Sequence, residues 1–154
     1  MDYHILVVDD QEEQLHMLKN FITSLSNFTD EHLTHTNAQA ARKLLKQGTY
    51  HLYTAHDTLE AKRATMRRHI DVAFVDRRLG DENGIDLCAR LTSKGIPCVM
   101  MSGDFSRKYG IDPAILRELS QAGVKETLCK PFNTGEFYNA ISHALESKSA
   151  RQVS

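Results

Sequence analysis

Four short apolar runs in this chain each lead straight into a polar group. Ile5-Leu6-Val7-Val8 is followed by Asp9-Asp10, Val72-Ala73-Phe74-Val75 by Asp76, Val99-Met100-Met101 by Ser102, and Leu128-Cys129 by Lys130 and Pro131. Short β-branched and apolar runs of this kind read as buried parallel strands. An open parallel sheet gathers its ligands at the carboxyl ends of its strands. Four strands that each deliver a polar group at that end imply one shared polar pocket.

The chemistry of such a pocket is constrained by charge. Three carboxylates held close together repel one another, and at least one would keep its proton without help. An ammonium or a divalent cation removes that penalty. Oxygen-only ligands with few carboxylates suit Mg²⁺ that keeps some of its waters. Lys130 brings the only side-chain positive charge among these strand-end residues. Mg²⁺, an ammonium and a hydroxyl together make a receptor for a phosphoryl group. Within that receptor Asp76 is placed to act as a nucleophile, and a carboxylate that attacks phosphorus gives an aspartyl phosphate.

The ordered set of Asp9-Asp10, Asp76, Ser102 and Lys130-Pro131-Phe132 resembles the receiver domain of two-component response regulators. Supporting spacings agree: Thr54-Ala55 closes the expected second strand, and Gly84 lies eight residues after Asp76 (84 − 76). The resemblance covers roughly residues 3–146. It implies a flavodoxin-like α/β fold with a doubly wound, five-stranded parallel sheet in the order 2-1-3-4-5. It also implies that Asp76 is the phosphoacceptor and that Lys130 binds a phosphoryl oxygen. Ser102 would report occupancy. Mg²⁺ would be held by Asp9, Asp10, Asp76 and the backbone carbonyl of Arg78, with Asp9 orienting metal-bound water. The donor would be a sensor histidine kinase or a histidine phosphotransfer protein, and the signal would pass to a downstream protein target. Such a chain is not an enzyme toward other substrates.

Composition narrows the remaining classes. At 154 residues the chain reads as one domain, and 19 basic against 20 acidic residues give a net charge of −1. No global field draws it to nucleic acid or to an anionic membrane. No apolar stretch approaches the length of a membrane span, and the N-terminus enters a strand at once rather than a signal peptide. Cys88, Cys98 and Cys129 are an odd number without a Cys-x-x-Cys pair, which reads as buried reduced thiols and a cytoplasmic home. His32 and His35 share a helix face, but two ligands do not make a metal site.

Helix ends are legible. Asp57 with Glu60 forms an acidic capping box before a helix over 58–68. Ile85, Leu87, Cys88 and Leu91 give a helical stripe after Gly84. Asp112-Pro113 reads as N-cap and first helical residue, with Gly123 ending that helix. Asn133 with Glu136 opens the last helix, and the domain is expected to span 1–147 with a polar tail at 148–154.

Two places depart from the receiver pattern. Ala55 lies forty-five positions after Asp10 (55 − 10), where one helix and one strand need about half that. Leu15, Leu18, Phe21, Ile22 and Leu25 make one stripe, and Ala38, Ala41, Leu44 and Leu45 a second, so a helical insertion is expected at about 27–48. Either a partner or homodimer surface, or extra scaffold, accounts for it. The second departure is Thr127, which occupies the position where many receivers carry a switch aromatic three residues before the lysine. Phe105 and Tyr109 are alternative aromatics, or simply pack at the strand edge. Arg78 either overhangs the phosphoryl position, pairs with Asp104, or is solvated. The rival to a phosphoacceptor is a phosphorylation-independent adaptor that keeps the fold. An aspartate-based phosphatase is disfavoured because residue 78 is Arg where a second acid is needed.

Overall fold

A computed structural model describes residues 2–24, 48–106 and 108–153, with side chains through Glu146. The expected insertion at 27–48, its stripe at Ala38–Leu45, the residue pair His32/His35 and Leu25 therefore lie outside the described residues, apart from Gly48. Strand β1 (Asp2–Val8) leads to helix α1 (Glu12–Ser24); β2 (Thr49–Ala55) leads to α2 (Thr58–Arg67). After β3 (Val72–Asp76) comes a two-stranded ribbon of β4 (Arg78–Leu79) and β5 (Glu82–Asn83), then α3 (Gly84–Ser93). The chain closes with β6 (Cys98–Ser102), α4 (Pro113–Gln121), β7 (Glu126–Cys129) and α5 (Thr134–Val153).

The main sheet is parallel in the order β2-β1-β3-β6-β7, the expected doubly wound order once the small ribbon is set aside. Its register aligns the carboxyl ends. Val8 sits beside both Ala55 and Val75, Asp76 beside Met101, and Ser102 beside Cys129. The residue that follows or ends each strand therefore reaches the same edge, which is why four separate sequence positions meet.

Side chains alternate across the sheet, so each strand feeds two cores. Ile5, Val7, Phe74, Val99 and Met101 pack under α1 and α5 with Leu18, Phe137 and Tyr138. Leu6, Val8, Ala73, Val75 and Met100 pack on the other face under α2, α3 and α4. The Leu15, Leu18 and Ile22 stripe of α1 is buried as its spacing requires, and so are Ile85, Leu87, Cys88 and Leu91 of α3. The three cysteines are free thiols; Cys88 and Cys98 are buried and Cys129 is half-buried.

Helix starts follow the capping chemistry with one variation. Asp112 accepts from the Ala114 N–H at 2.8 Å, and Asn133 and Glu136 complete a reciprocal box, Glu136 N–H to Asn133 Oδ1 at 2.8 Å and Asn133 N–H to Glu136 Oε1 at 3.3 Å. Asp57 caps α2 by accepting from the Glu60 N–H at 2.8 Å. Glu60, however, reaches past Asp57 to the His56 N–H at 2.7 Å and the His56 ring at 2.9 Å. An imidazole one residue upstream offers a second donor that the box's own backbone cannot. Helix α5 runs on to Val153.

Candidate functional site

Asp9 is fully buried, and a buried carboxylate requires partners. It has two. Its Oδ1 accepts from the Gln11 N–H at 3.0 Å, and its Oδ2 lies 2.9 Å from Lys130 Nζ. The same ammonium stands 3.4 Å from Asp76 Oδ1. Lys130 thus bridges the ends of β1 and β3 from the end of β7, and its peptide N–H is tied to the Ser102 carbonyl at 2.9 Å. The bond from Lys130 to Pro131 is cis.

Asp10 is exposed and turned toward the ribbon, where its Oδ2 accepts from the Gly80 N–H at 3.1 Å. Gly80 has φ +63°, a left-handed conformation that side chains resist, and it forms the tight ribbon turn that presents this N–H. Carboxylate oxygens of Asp9, Asp10 and Asp76 lie within 4.8 Å of one another. The Asp76 carboxyl is held above the usual carboxylate range. Burial is the main cause; the Lys130 ammonium opposes it, and the Asp9 and Asp10 charges add to it. One ammonium does not neutralise three carboxylates. The oxygen-only donor set and its excess negative charge therefore fit a hard divalent cation.

Gly84 fixes the backbone behind Asp76. A Cβ at this residue would stand 2.0 Å from the Asp76 carbonyl oxygen, so only glycine lets the start of α3 approach β3 this closely. Its N–H donates to the Arg77 carbonyl at 2.7 Å. This accounts for the spacing of eight residues noted in the sequence.

Ser102 is buried at the end of β6, and its Oγ accepts from the Asp104 N–H at 3.0 Å. The Asp104 carboxylate in turn binds two guanidinium groups, Arg77 and Arg78, each at 3.0 Å. The Arg78–Asp104 pair is one of the arrangements the sequence offers; Arg77 is a partner the sequence reading missed. The chain turns between β3 and β4, so the alternation that would send neighbouring side chains to opposite faces does not hold there. Asp10, Gln11, Asp76, Arg78, Ser102 and Lys130 line one open cavity of about 320 Å³. All six site positions named from sequence therefore sit together at this edge, either lining the cavity or, for Asp9, buried directly behind Lys130.

Thr127 is exposed on β7. Phe105 is buried in the core under α2–α4, where its carbonyl accepts from the Cys129 thiol at 2.6 Å. Tyr109 is 82 % exposed, so of the two alternative aromatics only Phe105 packs against the sheet.

The sequence matches the response regulator receiver domain family over residues 28–142, and the chain belongs to that family. Among curated relatives, the regulatory protein VirG of Rhizobium rhizogenes is 28 % identical over 94 % of this chain and 49 % of its own length. The alginate biosynthesis transcriptional regulatory protein AlgB of Pseudomonas putida is 30 % identical over 73 % of this chain and 24 % of its own. The chain thus spans half or less of the length of these relatives. Two solved folds superimpose closely. The signal receiver domain of an HD domain-containing protein from Pseudomonas fluorescens Pf-5 gives a TM-score of 0.73 at 22 % identity, covering 97 % of this chain and 99 % of that one. The CheY-like receiver domain protein of Methanospirillum hungatei JF-1 gives 0.72 at 18 % identity, covering 98 % and 99 %. Among the described residues no helix is long and apolar enough to cross a membrane.

Proposed function

We propose that this receiver domain is a working phosphoacceptor, with Asp76 as the residue that is phosphorylated. The observation that carries this reading is the placement of Lys130 Nζ at 2.9 Å from Asp9 and 3.4 Å from Asp76. A single cation shared by a buried carboxylate and the candidate nucleophile is in position to bind an oxygen of an incoming phosphoryl group. In the transfer, an Asp76 carboxylate oxygen forms a bond to phosphorus as the phosphorus–nitrogen bond of a phosphohistidine breaks, and the imidazole leaves with a proton. Little covalent work falls to the protein, which supplies position and countercharge. Asp10 and Asp76, with the Arg78 carbonyl, would hold Mg²⁺, and Asp9 would orient its water. Bound there, the ion neutralises charge on the transferring oxygens. Ser102 Oγ meets another phosphoryl oxygen.

On this reading residues 1–147 are the functional unit and 148–154 a tail. The donor is a sensor histidine kinase or histidine phosphotransfer protein in the cytoplasm, and the output is a protein contact with a downstream target. The chain catalyses only its own phosphorylation and dephosphorylation. Thr127 and the buried Phe105 favour one rival specifically, a phosphorylation-independent adaptor, because among the described residues the switch position on β7 holds no aromatic and Phe105 is already packed in the core.

Intact-mass measurement after treatment with acetyl phosphate and Mg²⁺ separates the two. A phosphoacceptor gains one phosphate, and Asp76→Asn gains none. An adduct that persists in Asp76→Asn places the nucleophile elsewhere, and a wild-type chain that gains nothing supports the adaptor.

A further inference from the structure

The chain is close to neutral, yet its cations are not spread evenly. Lys62, Arg63, Arg67 and Arg68 fall on α2 and its C-cap, in the stretch 62–68. Arg63, Arg67 and Arg68 are exposed. Among the described residues none of the three has a carboxylate within ion-pair distance. The nearby acids are already engaged: Glu60 holds the His56 N–H and ring, and Asp71 accepts from the His4 N–H at 2.7 Å and pairs with His69 at 3.0 Å. Arg68 lies over the Tyr53 ring at 4.7 Å from its centroid, which holds one guanidinium plane in place while leaving its N–H edges available.

These arginines do not stand on a featureless surface. Arg63, Arg67 and Arg68, with Glu60 and Ala64, form one wall of a groove of about 450 Å³, and Leu52, Tyr53 and Thr54 of β2 form the other; Glu60, the one acid in this lining, is held by His56, so three cations face it against one carboxylate. Strand β2 is the outer strand of the sheet among the described residues. Leu59 and Met66, 56 % and 81 % exposed, do not line the groove but lie one helical turn from Arg63 on α2, at i−4 and i+3.

We infer that the groove between β2 and the basic face of α2 is a docking surface for an acidic, extended segment of a partner protein. Charge complementarity selects an anionic partner, since uncommitted guanidiniums bind carboxylates as readily as phosphates. Two features select a polypeptide over a nucleic acid. Exposed Leu59 and Met66 offer apolar contact of the kind protein interfaces use. And the aromatic rings here are already occupied: His4 stacks on His51 at 4.9 Å and on Tyr53 at 5.8 Å, while Arg68 covers Tyr53, so no open ring is offered to a base. The lining of this groove shares no residue with that of the cavity around Asp76.

Fluorescence anisotropy on the full chain tests it with two labelled probes: a twelve-residue peptide of alternating Glu and Val, and a twelve-nucleotide oligothymidylate. The peptide binds the wild type, and Arg63→Glu/Arg67→Glu weakens it at least tenfold, whereas Arg90→Glu on α3 leaves it within about twofold. Arg68→Gln, which keeps the helix and removes only one charge, gives a smaller loss. Acetyl phosphate adduct formation stays at the wild-type level in all of these variants and reports that they are folded. The inference fails if the peptide does not bind the wild type, if the double variant binds it as well as Arg90→Glu does, or if the oligothymidylate binds more tightly than the peptide through the same arginines.

Discussion

Phe74 and Asp76 lie two residues apart on β3 and point to the same side of the sheet, yet they belong to regions with opposite requirements. Phe74 is fully buried and meets the Phe137 ring at 4.8 Å, within a cluster that continues through Tyr138, Phe132 and Phe21. Every group there gains from being dry. Asp76 sits at the edge where the strand runs out, among like charges, with its proton affinity raised by burial and by Asp9 and Asp10. The core is assembled for stability and the strand end against it, and the first supplies the rigidity that lets the second be held. Variants on the two sides should therefore separate stability from chemistry.

The largest effect is expected in the core. Phe137→Ala should destabilise the fold by about 3–5 kcal/mol, the usual cost of emptying a buried aromatic site. Denaturant unfolding measures it, and the folded fraction should still form the acetyl phosphate adduct. A loss of adduct in protein that remains folded would erase the separation.

Gly84→Ala falls between the regions. Its Cβ has no room beside the Asp76 carbonyl, so it should cost at least the ~1–3 kcal/mol of overpacking and, unlike Phe137→Ala, also slow adduct formation. Stopped-flow phosphorylation at a temperature where the variant is folded gives the second number. An unchanged rate would mean that Asp76 tolerates displacement.

Asp104→Ala belongs wholly to the pocket. It frees Arg77 and Arg78 beside the phosphoryl position without touching either core. The acyl phosphate should then last roughly two- to fivefold longer, the equivalent of ~0.4–1 kcal/mol for partly exposed ion pairs, with the unfolding midpoint nearly unchanged. Decay of the adduct followed by mass spectrometry checks both the sign and the size.

The smallest effect is at His56, which links α1 to α2 through Glu12 and Glu60. Its imidazole is held above its ordinary value, chiefly by the hydrogen bond to Glu12 and then by that to Glu60. The folded state therefore binds the proton more tightly. Its contribution is fully present below the unfolded value of about 6.5 and fades as pH rises through the folded one. Wild type and His56→Ala should differ slightly in melting temperature in mildly acid buffer and converge in alkaline buffer. The reverse trend would contradict the assignment.

The pocket was readable because its residues break a pattern: a charge that ends an apolar strand has few places to go except the carboxyl edge of the sheet. Gly84 was readable as a spacing, and its reason became visible only when the carbonyl of Asp76 was seen against it. Arg77 escaped because its direction depends on a turn of backbone between β3 and β4, which residue type does not encode. The Asp57–Glu60 pairing held for the Asp57 side chain and the Glu60 N–H, while the return bond of the Glu60 carboxylate goes to His56, since only the three-dimensional offset decides between neighbouring donors. Thr127 marked the absence of an aromatic correctly, while the choice between Phe105 and Tyr109 required knowing which of them the core could accept.

The contact at Gly84 has a practical consequence for anyone who would move this pocket to another scaffold. Because no space separates the first residue of α3 from the carbonyl of Asp76, the loop 76–84 and the helix it opens form one mechanical part. Grafting the five strand-end side chains alone would leave Asp76 on a backbone free to retreat. The smallest transplantable unit is the strand end, the ribbon and the first turn of α3 together, and a library that randomises the ribbon while keeping glycine at its end would sample pockets in which Asp76 stays seated.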